Sequence, residues 1–251
     1  MDLFNESKLG LELKGGTLSV DDSVLDKPYS HPMDLVGYFW SGKHHGVVKG
    51  INLITLYYTA VRGQHRPVNY RIDDKADGKT KNDYVQEMLA DVLAWGLEPA
   101  LVTGDSGYSS LKNLKTVRHH ALGFLFALDS NRLVSVDQGL GVQVQHLEIP
   151  EEGLEVWLRG FGQVKLLRTR LKDPLRYYAV HLPDGGQLIS VDRDTFLRWH
   201  DQHWQIEDAY AIVKRLLGLA YFWCGAQNAV GLQLWVTAHR VNVAWVSRRK
   251  V

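Results

Sequence analysis

Apolar and polar positions along the chain predict an α/β arrangement followed by a strand-rich stretch. Thr17–Val20 is short and β-prone and runs into Asp21 and Asp22. Ser41–Lys49, rich in Gly, Lys and His, reads as a loop, after which Gly50–Thr59 is a long apolar strand with Arg66–Ile72 as its hairpin partner. Between Lys81 and Trp95, the positions Tyr84, Val85, Met88, Leu89, Val92 and Leu93 recur at helical spacing, and Gly96 is placed to stop the helix. Ala100–Asp105 is a short strand ending in a carboxylate, Ser109–His120 a helix, and Gly123–Leu128 another apolar strand. Strands and helices in this order describe an α/β layered domain.

From Arg132 to Val191 the texture changes. Leu133–Val136, Val142–Leu147, Leu154–Leu158, Val164–Thr169, Tyr177–Leu182 and Gln187–Val191 are β-prone and separated by turn signals such as Pro150-Glu151-Glu152-Gly153 and Pro183-Asp184-Gly185-Gly186. These read as an antiparallel meander, either an insertion or a small β subdomain. Helical spacing returns at Thr195, with Asp194 as its N-cap, and continues to about Leu217. On that helix His200, His203, Glu207, Tyr210 and Lys214 fall on one stripe, flanked by apolar positions such as Phe196, Trp199, Ile206 and Val213. An ionisable stripe on a helix otherwise suited to burial requires partners: a metal, another carboxylate or a phosphate.

Composition narrows the class of protein. The 251 residues contain 29 Lys and Arg against 28 Asp and Glu, a net charge of +1, so no overall field announces a polyanion. Cys224 is the single cysteine, which excludes internal disulfides and cysteine-rich zinc sites. The opening residues lack a secretory signal, and the expectation is a cytoplasmic chain. Leu216–Ala238 is free of charge and long enough to span a bilayer, but Gln227, Asn228, Gln233 and its glycines favour a buried helix and turn, with no membrane partner.

Three acids stand out by position: Asp21 or its neighbour Asp22 after the first strand, Asp105 after the central strand, and Glu207 on the late helix. Ligands of open α/β sheets collect beyond the carboxyl ends of strands, and carboxylates there are the hard oxygen donors that Mg²⁺ prefers. Each acid taken alone also fits a cap, a turn or a solvated side chain. Together, Gly16-Thr17-Leu18-Ser19-Val20-Asp21-Asp22-Ser23, Val102-Thr103-Gly104-Asp105-Ser106-Gly107-Tyr108 and Trp204-Gln205-Ile206-Glu207 with Lys214 resemble the DDE-type transposases of bacterial insertion sequences. The resemblance is to the branch with a β-strand insertion between the second and third acids and a Tyr-x2-Arg-x3-Glu-x6-Lys signature. It covers roughly Thr17 to Leu234.

The resemblance implies a ribonuclease H-like α/β fold, a mixed sheet with flanking helices and an antiparallel β insertion. It divides the chain into an N-terminal remnant (1–16), the first part of the core (17–130), the insertion (131–192), the third-acid helix and following segment (193–235) and a basic tail (236–251). It further implies a metal-binding triad of Asp21, Asp105 and Glu207, holding two Mg²⁺ ions with Mn²⁺ as substitute, and Lys214 as a contact to DNA phosphate. Asp22 stays an alternative first acid, because a one-residue shift exchanges the face a strand side chain occupies. His200 and His203 stand where the signature has tyrosine and arginine, and Tyr210 joins them as a supporting residue. The implied reaction is strand cleavage at element ends and strand transfer to target DNA by a homodimer. Alternatives are a truncated, inactive remnant that binds DNA or an active partner, and a metal-dependent nuclease.

Other patterns compete. Gly104-Asp105-Ser106-Gly107 is similar to the nucleophile segment of trypsin-like proteases, but Tyr108 replaces the second glycine and no matching His and Asp segments precede it. The His200-x2-His203-x3-Glu207 spacing also suits zinc. Arg62, His65, Arg66, Arg71, Lys75, Lys79 and Lys81, interrupted by Asp73, Asp74 and Asp77, form either a DNA-tracking stretch or a solvated mixed-charge loop. Trp40, Trp199, Trp204 and Trp223 read as packing residues, and His44-His45 and His119-His120 as loop or surface pairs.

Overall fold

In the computed structural model the chain is described over residues 11–30, 35–42, 44–169, 175–183 and 191–216, without side chains from 212 on. Among the described residues, eleven strands form a mixed sheet accompanied by three α-helices. The fold is thus α/β. The chain divides into two compact units: the first takes Asp21–Leu97 and the chain from Trp204, the second Lys14–Val20 and Glu98–His203. Strand β1 (Thr17–Asp26) and the late helix α3 (Arg193–Leu216) each contribute a part to either unit.

In the first unit β3 (Gly46–Thr59) is central, with β1 along one edge and β2 (Gly37–Ser41) and β4 (His65–Ile72) sharing the other. Because strand side chains alternate between faces, β3 sends Ile51, Leu53 and Thr55 one way and Asn52 and Ile54 the other. The face with Ile51 and Leu53 forms a core with Leu25 and Leu35, against which Tyr70, Ile72 and Tyr210 pack. Helix α1 (Lys81–Ala94) serves the opposite face, where Asp91 bonds Arg71 and Asn69. Its start is fixed by a reciprocal capping box between Thr80 and Asp83, and it buries Tyr84, Val85, Met88, Leu89 and Val92.

In the second unit the first residues of β1 pair in parallel with β5 (Leu101–Gly104), and β5 pairs in parallel with β6 (Gly123–Leu128). Helix α2 (Leu111–His119), capped by Ser110, connects the two. Antiparallel strands then extend this part of the sheet in the order β6-β11-β10-β9-β7-β8. They are β7 (Leu133–Ser135), β8 (Val142–Gln143), β9 (Leu154–Leu158), β10 (Gly162–Thr169) and β11 (Arg176–His181). Since β11 pairs directly with β6, the strands after Arg132 continue the hydrogen bonding of the α/β core.

Several expectations change. β1 does not stop at Val20; it runs on to Asp26, with the Lys27 amide bonded to the Lys49 carbonyl, so acids that look like a strand end lie within a strand. Much of the loop expected over Ser41–Lys49 is strand: β2 reaches Ser41 and β3 begins at Gly46. Helix α3 starts two residues early: the Asp192 carboxylate accepts from the Thr195 amide at 2.8 Å, so Asp192 takes the cap expected of Asp194. The expected strand over Gln187–Val191 falls almost wholly outside the described residues, as do the apolar stretch after Leu216, Cys224, Trp223 and the basic tail. No described helix is long and apolar enough to cross a membrane.

Candidate active site

The paired register of β1 and β5 ends just before an acid in each segment. Val20 pairs with Gly104 as the last matched residues of β1 and β5, and the next residue of each chain is Asp21 and Asp105 respectively. Gly104 is required there by close approach: a Cβ would lie 2.6 Å from the Phe126 ring and 2.8 Å from Val20 Cγ1. The glycine of the Gly-Asp-Ser-Gly segment is therefore explained by packing. Asp105 follows in extended conformation as the cap of a short 3₁₀ turn (Ser106–Tyr108), with no capping bond from its side chain.

Asp21 and Asp22 part to opposite faces. Asp22 Oδ1 accepts from the ammonium of Lys81 at 3.0 Å, at the start of α1. Within the first unit Asp21 shares its face of β1 with Leu25. Its Oδ1 accepts from the Asp22 amide, and its carbonyl accepts from the Tyr210 hydroxyl at 2.9 Å. Thr55 is hydrogen-bonded to the same hydroxyl, and burial with the nearby Asp21 carboxylate pushes the Tyr210 phenol well above its ordinary range.

Along α3 a row of side-chain amides, an imidazole and a phenol meets hydroxyls of the strands. In the second unit Thr17 donates to Gln202 Oε1 at 2.7 Å. Thr103 donates to Ser19 Oγ at 2.9 Å and lies 3.2 Å from His203 Nδ1. The Thr103 hydroxyl thus bridges Ser19 and the His203 ring. Burial, with Arg176 and His200 adding to it, pulls His203 down to about 4, so the ring is neutral. In the first unit Thr59 donates to Gln205 Oε1 at 3.0 Å.

The ionisable stripe is therefore divided among different surroundings. His200 is 2% exposed, edge-on to Tyr178 and beside Phe196, and burial lowers its basicity. Ile206 is buried, whereas Glu207, the next residue, is exposed. Lys214 lies in the helix, but its side chain is outside the described residues. The three residues suited to zinc by spacing thus have three different surroundings. Among the described residues, no group of three or more His, Cys, Asp or Glu is gathered to hold a metal ion. The donor chemistry of Asp21, Asp105 and Glu207, three carboxylates, nonetheless fits a hard divalent ion.

The basic stretch is largely occupied by its own acids: Lys81 pairs with Asp22, Lys79 with Glu87, Lys75 with Asp73, Arg71 with Asp91 and Arg62 with Glu12. Trp40 departs from the expected packing role, being 64% exposed on β2, while Trp199 packs against the core of the second unit.

Residues 17–243 match the family described as the transposase DDE domain. The chain belongs to that family. This transposase domain has no match among curated proteins. Among solved structures it is similar to the Drosophila P element transposase strand transfer complex, at 9% identity and a TM-score of 0.25, over 52% of this chain and 32% of that one. The transposase domain thus spans about a third of that chain's length (32%). Membership makes it one of a family of phosphoryl-transfer enzymes that work with divalent metal.

Proposed function

We propose that this transposase cleaves DNA strands at insertion-sequence ends and transfers them to target DNA, with Asp21, Asp105 and Glu207 as its metal-binding carboxylates. The observation that supports the assignment is the tie from Tyr210, three residues after Glu207, to the carbonyl of Asp21. Asp21 is preferred to Asp22 because Asp22 turns to the α1 face and is engaged by Lys81. In the reaction, water attacks the phosphodiester at the element end and the strand leaves with a free 3′-hydroxyl. That hydroxyl then attacks a target phosphodiester, exchanging one phosphate ester for another. Two Mg²⁺ ions, with Mn²⁺ as substitute, would neutralise charge on the attacking and leaving oxygens when bound.

The chain's own contributions are those of orientation. Tyr210 holds the Glu207 turn of α3 to the Asp21 backbone, and Gln205 seats on Thr59. Lys214 contacts DNA phosphate, and the protein works as a homodimer on DNA in the cytoplasm. A gel assay with a labelled terminal inverted repeat, with and without Mg²⁺ or Mn²⁺, tests the reading. Cleavage with joining supports it. Cleavage without joining identifies a nuclease, and a shift without cleavage a DNA-binding remnant. In the same assay Asp21→Asn loses cleavage, whereas Asp22→Asn keeps it and weakens the Lys81 pair, worth about 0.2–1 kcal/mol at a partly exposed site; the reverse result makes Asp22 the first acid.

A further inference from the structure

Strand β2 carries an exposed aromatic face. Tyr38 is 71% and Trp40 64% exposed, and their partners across the ladder are Lys49 and Val47, the latter 64% exposed. Phe39, between the two aromatics, points the other way, is buried, and lies under the Lys75 ammonium. Tyr38 and Trp40 therefore project outward without a core to fill. Large aromatics left in water on a short strand are an unusual expense unless something covers them.

Side-chain parity says which face this is. Val47 and Lys49 alternate with Val48 and Gly50, so they share the side of β3 that carries Ile51, Leu53 and Thr55, with the register unbroken until Leu56. Ile51 and Leu53 pack with Tyr210, Thr55 bonds its hydroxyl, and that hydroxyl bonds Asp21. The exposed aromatics thus stand on the same face of the first unit's sheet as Asp21 and Tyr210.

We propose that Tyr38 and Trp40 form a stacking platform for unpaired bases of DNA; this rests on the DNA strand-transfer reading above. Two aromatic planes beside a cation are the combination that binds single strands, the rings taking base faces and the charge tracking phosphates. Lys49 supplies the charge opposite Tyr38, and its ammonium reaches the Ser30 carbonyl beside Tyr29, which is 95% exposed. Asp26, the carboxylate at the end of β1, is engaged by His44. A second copy of the chain fits less well: three aromatic side chains of about 150–250 Å² each, partly covered already, fall short of the roughly 800 Å² per partner of a stable protein interface.

The test uses the full chain and fluorescence anisotropy with a labelled oligothymidine of about twelve nucleotides and a blunt duplex of the same length. The double variant Tyr38→Ala/Trp40→Ala should bind the single strand about ten-fold or more weakly and the duplex as before, with an unchanged melting temperature. Trp40→Phe, which keeps a ring, should retain most of the single-strand affinity. Unchanged single-strand binding by the double variant overturns the platform and leaves the transposase reading standing. Failure of the unmodified chain to bind either probe removes the DNA reading and the platform with it. If the double variant instead turns a sedimenting dimer into a monomer at unchanged DNA affinity, the face belongs to a second copy and the platform is wrong.

Discussion

In the first half of α3, Phe196 and His200 are 0% and 2% exposed in a core with Tyr178, Leu167 and Val180; in the second half Ile206 is buried but Glu207 and Asp208 face solvent. The two halves have similar composition and opposite assignments. The imidazole of the first half is neutral and serves as a flat, edge-on packing group, at a cost in basicity that burial imposes. The carboxylate of the second half, Glu207, stands one residue beyond the buried Ile206, on the exposed side of the helix. Contact with the strands is delegated to uncharged groups, Gln205 and Tyr210. Polarity on a buried helix is thus divided between groups that hold the helix and a group that is held by it.

The largest effect expected from breaking this division is at Glu207. Glu207→Gln should abolish metal-dependent strand cleavage while leaving stability within about 0.5 kcal/mol, since an exposed side chain contributes little to folding. Parallel cleavage gels and thermal melts check both halves of the statement, and cleavage at the unmodified rate would remove Glu207 from the triad. The first half should respond in the opposite way. Phe196→Ala empties a fully buried site and should cost about 3–5 kcal/mol in a urea titration. A cost under about 1 kcal/mol would mean the first half of α3 is not anchored by that core.

A pH titration probes the histidines more gently. The folded state holds His203 near 4 and His200 below its ordinary value, whereas the unfolded chain protonates both near 6.5. Below that pH the unfolded state binds more protons, so stability is full at neutral pH and falls as pH drops from about 6.5 towards about 4. His203→Gln, which keeps a polar side chain opposite Thr103 but cannot titrate, should flatten this slope; an unchanged slope would show that His203 is not held neutral.

Much of the architecture was legible because periodicity reports burial. Helix α1 with its five buried positions, β6 and β9 to β11 stand close to where apolar spacing predicts them. β2 was not legible, since Tyr38 and Trp40 point outward and erase the alternation that marks a strand. The extent of β1 was hidden for a related reason: Asp21 and Asp22 look like a terminus, yet the strand continues through them beside β3. At the site, angular counting grouped His200, His203, Glu207 and Tyr210 on one stripe but had no information about what lies opposite. Thr103 opposite His203 and the Tyr178 ring opposite His200 decide that these are holding groups, and such pairings across about one hundred or twenty residues leave no local signature.

The smallest change sharpens the comparison most. Tyr210→Phe removes one oxygen and leaves the ring that packs on Leu25, Ile51 and Leu53. Losing a hydrogen bond of this kind costs about 1 kcal/mol, so the variant should fold with a slightly lowered melting temperature. If the hydroxyl merely fills space, metal handling should not change. If it sets the Glu207 turn against the Asp21 backbone, Mn²⁺ binding to the DNA-free protein, followed by calorimetry, should weaken several-fold, and more Mg²⁺ should be needed for half-maximal cleavage. Melting and metal binding then separate, because the stability loss is present without metal and the affinity loss is not a consequence of unfolding. Equal Mn²⁺ affinity in the two proteins would show that the second half of α3 is held by Gln205 and packing alone.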